Sequence, residues 1–228
     1  MEPILPDEGR VLLINKPLEW TSFDVVNKLR NKLKIKKIGH AGTLDPLATG
    51  LLIICVGKMT KKIEEFMGQE KEYTGTFVLG QTTPSHDLET EVTEKKDISH
   101  LTPEKIQTVT ELFKGKINQL PPMHSAIKIG GKRAYKFVRK GKTIELAPRE
   151  VEIKEFEITD IRLPEVYFRI VCSKGTYIRS IARDVGESLG VGAYLSQLCR
   201  TRIGNYKLDN ALTIDQVTPS EHANLSQP

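Results

Sequence analysis

Strand-like and helix-like hydrophobic periods follow one another along this chain in mixed order, without the regular alternation that builds a parallel sheet. That ordering predicts an α+β domain on a mostly antiparallel central sheet flanked by helices and loops. Residues 10–17 form a short apolar run stopped by Pro17, as in a buried strand. Residues 21–34 place Phe23, Val26, Leu29, Arg30 and Leu33 at helical spacing, with Thr21 or Ser22 as N-cap and Asp24 in the first turn. A glycine- and proline-bearing loop at 39–50 then runs into LLIICVG, a strand candidate. Residues 71–80 alternate with a period of two, and Thr83-Pro84-Ser85 turns the chain.

Thr102-Pro103 starts a helix whose stripe is Ile106, Val109, Leu112 and Phe113, with Gly115 fitting its C-terminal cap. From 119 to 141 the pattern is lost, and seven basic residues between Lys128 and Lys142 meet no acid, which suits a long surface excursion. Strand alternation returns at 150–159 and 165–172. A helix over 177–189 follows, capped by Gly190, then a second short helix over 191–199 and a weak one over 214–217.

The 228 residues carry 34 Lys plus Arg against 29 Asp plus Glu, a formal charge of +5, with ordinary globular proportions of 39% hydrophobic and 28% charged. No apolar run approaches the roughly 18 residues of a membrane span, and the N-terminus has no secretory pattern, so a cytoplasmic protein is expected. Cys55, Cys172 and Cys199 are widely separated and read as buried thiols. Neither they nor the five histidines show metal-ligand spacing, so no metal is expected.

Basic residues cluster at 28–37, at 128–142, and in the set Lys174, Arg179, Arg183, Arg200 and Arg202. Three such patches favour a nucleic-acid partner over a merely solvated face. Phosphate-binding P-loop, dinucleotide and serine-hydrolase signatures are all absent, which argues against ATP, NAD and serine hydrolase chemistry. The loop at 39–50 remains, holding His40 and Asp45 between tight turns. Taken alone, Asp45-Pro46 reads as a turn or helix start, Tyr73 as a sheet residue, Tyr177 as a helix-start aromatic and Leu198 as core.

GHAGTLDPLATGLLIICVG resembles the signature loop of the TruB family, the tRNA pseudouridine-55 synthases. Four further segments resemble that family in order: INKPLEWTSFDVV, KEYTGTFVLGQTTPSHDLET, PPMHSAIKIGGKRAYKFVRKG and CSKGTYIRSIARDVGESLGVGAYLSQLCRT. The resemblance covers residues 10 to about 206 and implies the pseudouridine synthase fold over 1–206. Residues 207–228 would then be a short tail in place of the RNA-binding PUA domain of many bacterial members.

The family's catalytic aspartate falls on Asp45, its active-site tyrosine on Tyr73 and its active-site arginine on Arg179. His40 matches the histidine that replaces the flipped base, and Tyr177 and Leu198 match residues lining the uridine pocket. Lys16, Lys132 and Arg133 complete the substrate-binding set that the resemblance implies. Arg179 sits near a helix start, where the dipole disfavours a cation, so a buried carboxylate partner such as Asp45 is expected.

The implied reaction turns a T-loop uridine of tRNA into pseudouridine, with the base as both leaving and incoming group and no cofactor. The partner would be the T-stem-loop of tRNA, and the protein a monomer with no obligate protein partner. Two alternatives differ in class: a guide-RNA-dependent rRNA pseudouridine synthase subunit, and a non-catalytic tRNA-folding protein.

Overall fold

The structure, a computed structural model, describes residues 9–123, 128–129, 132–133 and 146–218. Its elements begin with β1 (Arg10–Lys16), α1 (Ser22–Leu33), β2 (Ile38–His40), β3 (Ala48–Val56), a 3-10 turn at Gly57–Lys62, α2 (Ile63–Gly68) and β4 (Lys71–Leu79). Next come β5 (Gln81–Thr82), β6 (Glu94–Lys95), α3 (Pro103–Glu111), β7 (Gly115–Gln119), β8 (Lys128–Ile129) and β9 (Lys132–Arg133). Then follow β10 (Arg149–Arg162), β11 (Glu165–Cys172), α4 (Ile178–Ser188), β12 (Ala193–Ile203) and β13 (Tyr206–Lys207). They form two compact units, one of residues up to Thr74 together with those from Leu198 on, the other of residues 75–197. β4 and β12 each begin in one unit and end in the other.

In the first unit β3 is the organising strand. β1 lies antiparallel to it, from Arg10 opposite Val56 to Lys16 opposite Gly50. The other edge of β3 pairs with β2 at Ile54–Val56 and, in parallel, with β12 at Ala48–Gly50. LLIICV has no alternation because both faces of the strand are covered. Leu52, Ile54 and Val56 pack with Val25, Val26, Leu29 and Leu33 of α1, whereas Leu51, Ile53 and Cys55 pack with Phe66 of α2.

α1 starts where the sequence predicts, with a reciprocal cap between Thr21 and Asp24. Thr21 at the cap sets the phase of the helix, so the buried stripe is Ser22, Val25, Val26, Leu29 and Leu33. Phe23 falls outside that stripe and is 60% exposed, contrary to its expected inward position.

In the second unit the strands lie in the order β12, β4, β11, β10, β7. Phe77 of β4 stacks on Phe168 of β11 at 4.1 Å between ring centres, and Phe156 of β10 meets both edge-on. Ile178, Ile181, Ala182 and Val185 of α4 are buried as the helical spacing predicts. The mixed, mostly antiparallel sheet with flanking helices is the expected α+β architecture. No helix among the described residues is long and apolar enough to cross a membrane.

Four local expectations are corrected. The helix expected over 191–199 is the strand β12. Leu195 and Leu198 have helical spacing from Val191, but Gly190 and Gly192 take φ of 78° and 76°, which stops a helix there, and β3 offers a pairing edge. The helix expected over 214–217 is a turn, whose Ile214 and Val217 join the core beneath α1. α3 ends at Glu111, so Leu112 is 71% exposed, and Gly115 opens β7 instead of capping the helix. β7 itself, GKINQ, was not legible because an edge strand with one apolar side chain carries no periodic signal.

Candidate active site

The loop between β2 and β3 carries Asp45, and its backbone is anchored residue by residue. Arg200 of β12, only 1% exposed, donates from Nε to the Leu51 carbonyl at 2.8 Å, and from its Nη atoms to the carbonyls of Gly42 at 3.1 Å and Thr43 at 3.4 Å. The Ser22 hydroxyl accepts from the Leu44 N–H at 2.9 Å and donates to the Leu44 carbonyl at 3.2 Å. Beyond Asp45, the Pro46 carbonyl accepts from Glu19 N–H at 2.8 Å and from Lys16 Nζ at 3.3 Å. The Ala48 N–H then closes a turn onto the Asp45 carbonyl at 3.1 Å. Gly50, early in β3, has φ 101°, with its α-carbon so close to Arg200 that a β-carbon would lie 2.4 Å from the Arg200 carbonyl oxygen.

Lys16 is fully buried, and its ammonium also donates to the carbonyls of Pro17 at 2.8 Å and Trp20 at 2.5 Å. Burial lowers its pKa to about 8, against the opposing pull of the Asp45 carboxylate and with a further push from the Arg200 cation. Expected as a substrate contact, Lys16 is thus placed as an internal anchor whose charge is committed to backbone carbonyls. His40 closes β2, half-buried. Tyr73 is buried on β4. Leu198 of β12 sits opposite Ala48, three residues past Asp45.

In the second unit Tyr177 is the N-cap of α4, and its backbone is held at both ends by the Gln119 amide, at 2.8 and 3.1 Å. The Arg149 guanidinium lies 4.5 Å over its ring. Arg179, in the first turn of α4, is buried with its Nε 3.5 Å from the Asp87 carboxylate, and its Nη1 donates to the Ser85 carbonyl at 3.3 Å. A carboxylate partner for a cation at a helix start was expected, and Asp87 is one that sequence reasoning missed. The Thr83 and Ser85 hydroxyls donate to the Asp87 carbonyl at 2.7 and 3.1 Å, which fixes that turn.

Of the basic set Lys174, Arg179, Arg183, Arg200 and Arg202, Lys174 is exposed and Arg183 pairs with Asp184 at 2.6 Å. Arg179 and Arg200 are buried, and Arg202 pairs with Glu70 at 2.7 Å and Glu72 at 3.8 Å. Around α1, Lys32 is committed to the carbonyls of Ile214 and Asp215, while Lys28, Lys34, Lys36 and Lys37 are exposed. The backbone of Lys132 and Arg133 forms a hairpin with Lys128 and Ile129, and their side chains lie outside the described residues. Besides Asp87, the sequence reading also missed Ser22 and Arg200 as site residues. Neither carries a distinguishing local signal, since one reads as a cap and the other as a surface cation.

Residues 30–178 match the family described as TruB family pseudouridylate synthase (N terminal domain), and residues 179–224 match the tRNA pseudouridylate synthase B C-terminal domain. Similar relatives include tRNA pseudouridine synthase B of Flavobacterium johnsoniae, 55% identical over 214 residues that cover 91% of this chain and 93% of that one. The protein of the same description from Chloroherpeton thalassium is 50% identical, covering 94% of this chain and 90% of its own. Among solved structures, a Cbf5-Nop10-Gar1 complex matches with a TM-score of 0.71 at 31% identity, over 92% of this chain and 54% of that one. This chain spans about half the length of such structural relatives. Matched across both units by the family descriptions, and by curated relatives over nine-tenths of its length, the chain belongs to the TruB family of pseudouridylate synthases.

Proposed function

We propose that this protein is a tRNA pseudouridine synthase that isomerises the T-loop uridine. The observation that carries the reading is the 55% identity, over more than nine-tenths of both chains, to a protein described as tRNA pseudouridine synthase B. In the reaction the N1–C1′ bond breaks, the uracil turns and C5 joins C1′; the C5 proton is released to solvent and N1 takes one up, so the composition is unchanged. Asp45 is the carboxylate that either attacks C1′ or assists departure of the base. Tyr73 serves the proton transfer, and Arg179 is the active-site arginine, held beside Asp87.

The uridine must leave the folded loop to be reached, at a cost of roughly a few kcal/mol, which His40 offsets by filling the vacated stack. Tyr177 and Leu198 line the uridine pocket. Lys132 and Arg133 grip phosphates from the basic hairpin, and the exposed lysines around α1 add to the positive field. We further infer a monomer, working in the cytoplasm, whose catalytic domain is residues 1–206. Residues 207–228 are an appendage of that domain, a reading supported by the packing of Leu212, Ile214 and Val217 against the first unit's core.

The test is tritium release from a T-stem-loop RNA labelled at uracil C5, with no metal or nucleotide added. Wild type should release tritium stoichiometrically, and Asp45→Asn should bind RNA but release none. Tight binding without release by wild type would overturn the enzymatic reading. The Cbf5 structural relationship supports a second reading, a subunit guided by RNA, and a small RNA copurifying with activity would favour it.

A further inference from the structure

Asp45 is bracketed by two neighbours whose backbones are tied to one short stretch, from Lys16 at the end of β1 to Ser22 at the start of α1. On one side, Leu44 gives both its N–H and its carbonyl to the single hydroxyl of Ser22, at 2.9 and 3.2 Å. On the other, the Pro46 carbonyl takes Glu19 N–H at 2.8 Å and Lys16 Nζ at 3.3 Å. Ser22 is 2% exposed and Leu44 4%, so water has little access to either partner.

The Ser22 hydroxyl is free for this because Thr21, not Ser22, caps α1 with its own side chain. Ser22 therefore rides on the first turn of a capped helix whose Val25, Val26 and Leu29 are locked into the core. A rigid element thus sets the position of the residue immediately before the carboxylate.

We propose that Ser22 is a positioning residue for Asp45, holding the carboxylate's backbone in the reactive arrangement through the peptide groups of Leu44. The inference rests on the reading of Asp45 as the catalytic carboxylate. With Ser22→Ala, the two polar groups of Leu44 lose their shared partner and the loop gains freedom at the residue before Asp45. A misplaced reacting group costs up to about 100-fold in rate, so a loss of about 10- to 100-fold is expected in single-turnover tritium release. RNA affinity should change by no more than about twofold, because the lost interaction orients the chemistry and does not touch substrate.

The experiment compares Ser22→Ala, Ser22→Cys, Leu33→Ala and Asp45→Asn for single-turnover rate, RNA dissociation constant and thermal midpoint. Ser22→Cys, which keeps the shape with a weaker donor, should fall between wild type and Ser22→Ala, and carries the comparison alone if the alanine variant does not fold. Leu33→Ala opens a cavity at the opposite end of the same helix, so it should lower the midpoint at least as much while leaving the rate near wild type. A rate within about twofold of wild type for the Ser22 variants would overturn the proposal. So would a loss of RNA affinity that accounts for their slower rate, or equal slowing by Leu33→Ala. Release by Asp45→Asn would instead overturn the assignment of Asp45, and the proposal with it, whatever the Ser22 variants do.

Discussion

A lysine with no exposed surface spends its three donors on backbone carbonyls. Lys16 joins the end of β1 to Pro46, and its ammonium is destabilised by burial more than the nearby Asp45 carboxylate stabilises it. Its folded pKa of about 8 lies below the ordinary 10.5 of the unfolded chain. Between those values the unfolded state binds more protons, so this group's penalty is fully present below pH about 8 and is relieved as pH rises toward 10.5. Wild type should therefore gain unfolding free energy relative to Lys16→Met between pH 8 and 10, measured by denaturant titration. A difference that stays flat across that window would refute the assignment. Lys16 was legible only as part of a Lys-Pro motif, since burial of a cation cannot be read from its neighbours in sequence. Asp45, by contrast, was legible from the twelve-residue loop around it, where glycine, proline and apolar positions recur in a family-specific order.

At the level of elements, the loop depends on a parallel contact between β3 and β12 that only a residue without a β-carbon permits. Gly50 combines φ 101° with a β-carbon position 2.4 Å from the Arg200 carbonyl oxygen and 2.7 Å from its nitrogen. Gly50→Ala should cost at least about 2 kcal/mol by chemical denaturation, from backbone strain and from a clash that backbone atoms cannot relieve. A loss under about 0.5 kcal/mol, the size of an ordinary surface change, would show that the strands separate freely there. β12 is also where the local pattern misled. Apolar spacing of three and four residues suits a helix in isolation, and the open edge of β3 made the strand the better use of the same side chains. β1, β4, β10 and β11 were recognisable because each alternates, or is apolar throughout, over its length. β7 was not, being a polar strand specified by the register of β10 alongside it.

For the whole molecule, the formal charge of +5 matters for association with a polyanion. Affinity for the T-stem-loop should fall steeply with salt, in proportion to the phosphates neutralised. Replacing Lys132, Arg133 and Lys136 together by glutamine should weaken RNA binding and reduce the log–log salt slope by about two to three, with each phosphate contact contributing ~0.7–0.9. An unchanged slope would move the grip to other cations, and the exposed lysines around α1 would be the next set to neutralise.

The sequence by itself determined the chain's class, its family, the helices that carry caps and stripes, and the loop on which Asp45 sits. Each of these is written in neighbouring residues: a cap, a period, a run of turn formers or a contiguous motif. Tertiary structure alone decided that Arg200 and Lys16 face inward to backbone carbonyls, that Asp87 meets Arg179, that residues 193–203 pair as a strand, and that Ser22 grips Leu44. The physical reason is common to all four. A buried polar group or a strand edge is satisfied by whatever partner the fold brings to it, and those partners lie as far as 158 residues away in sequence.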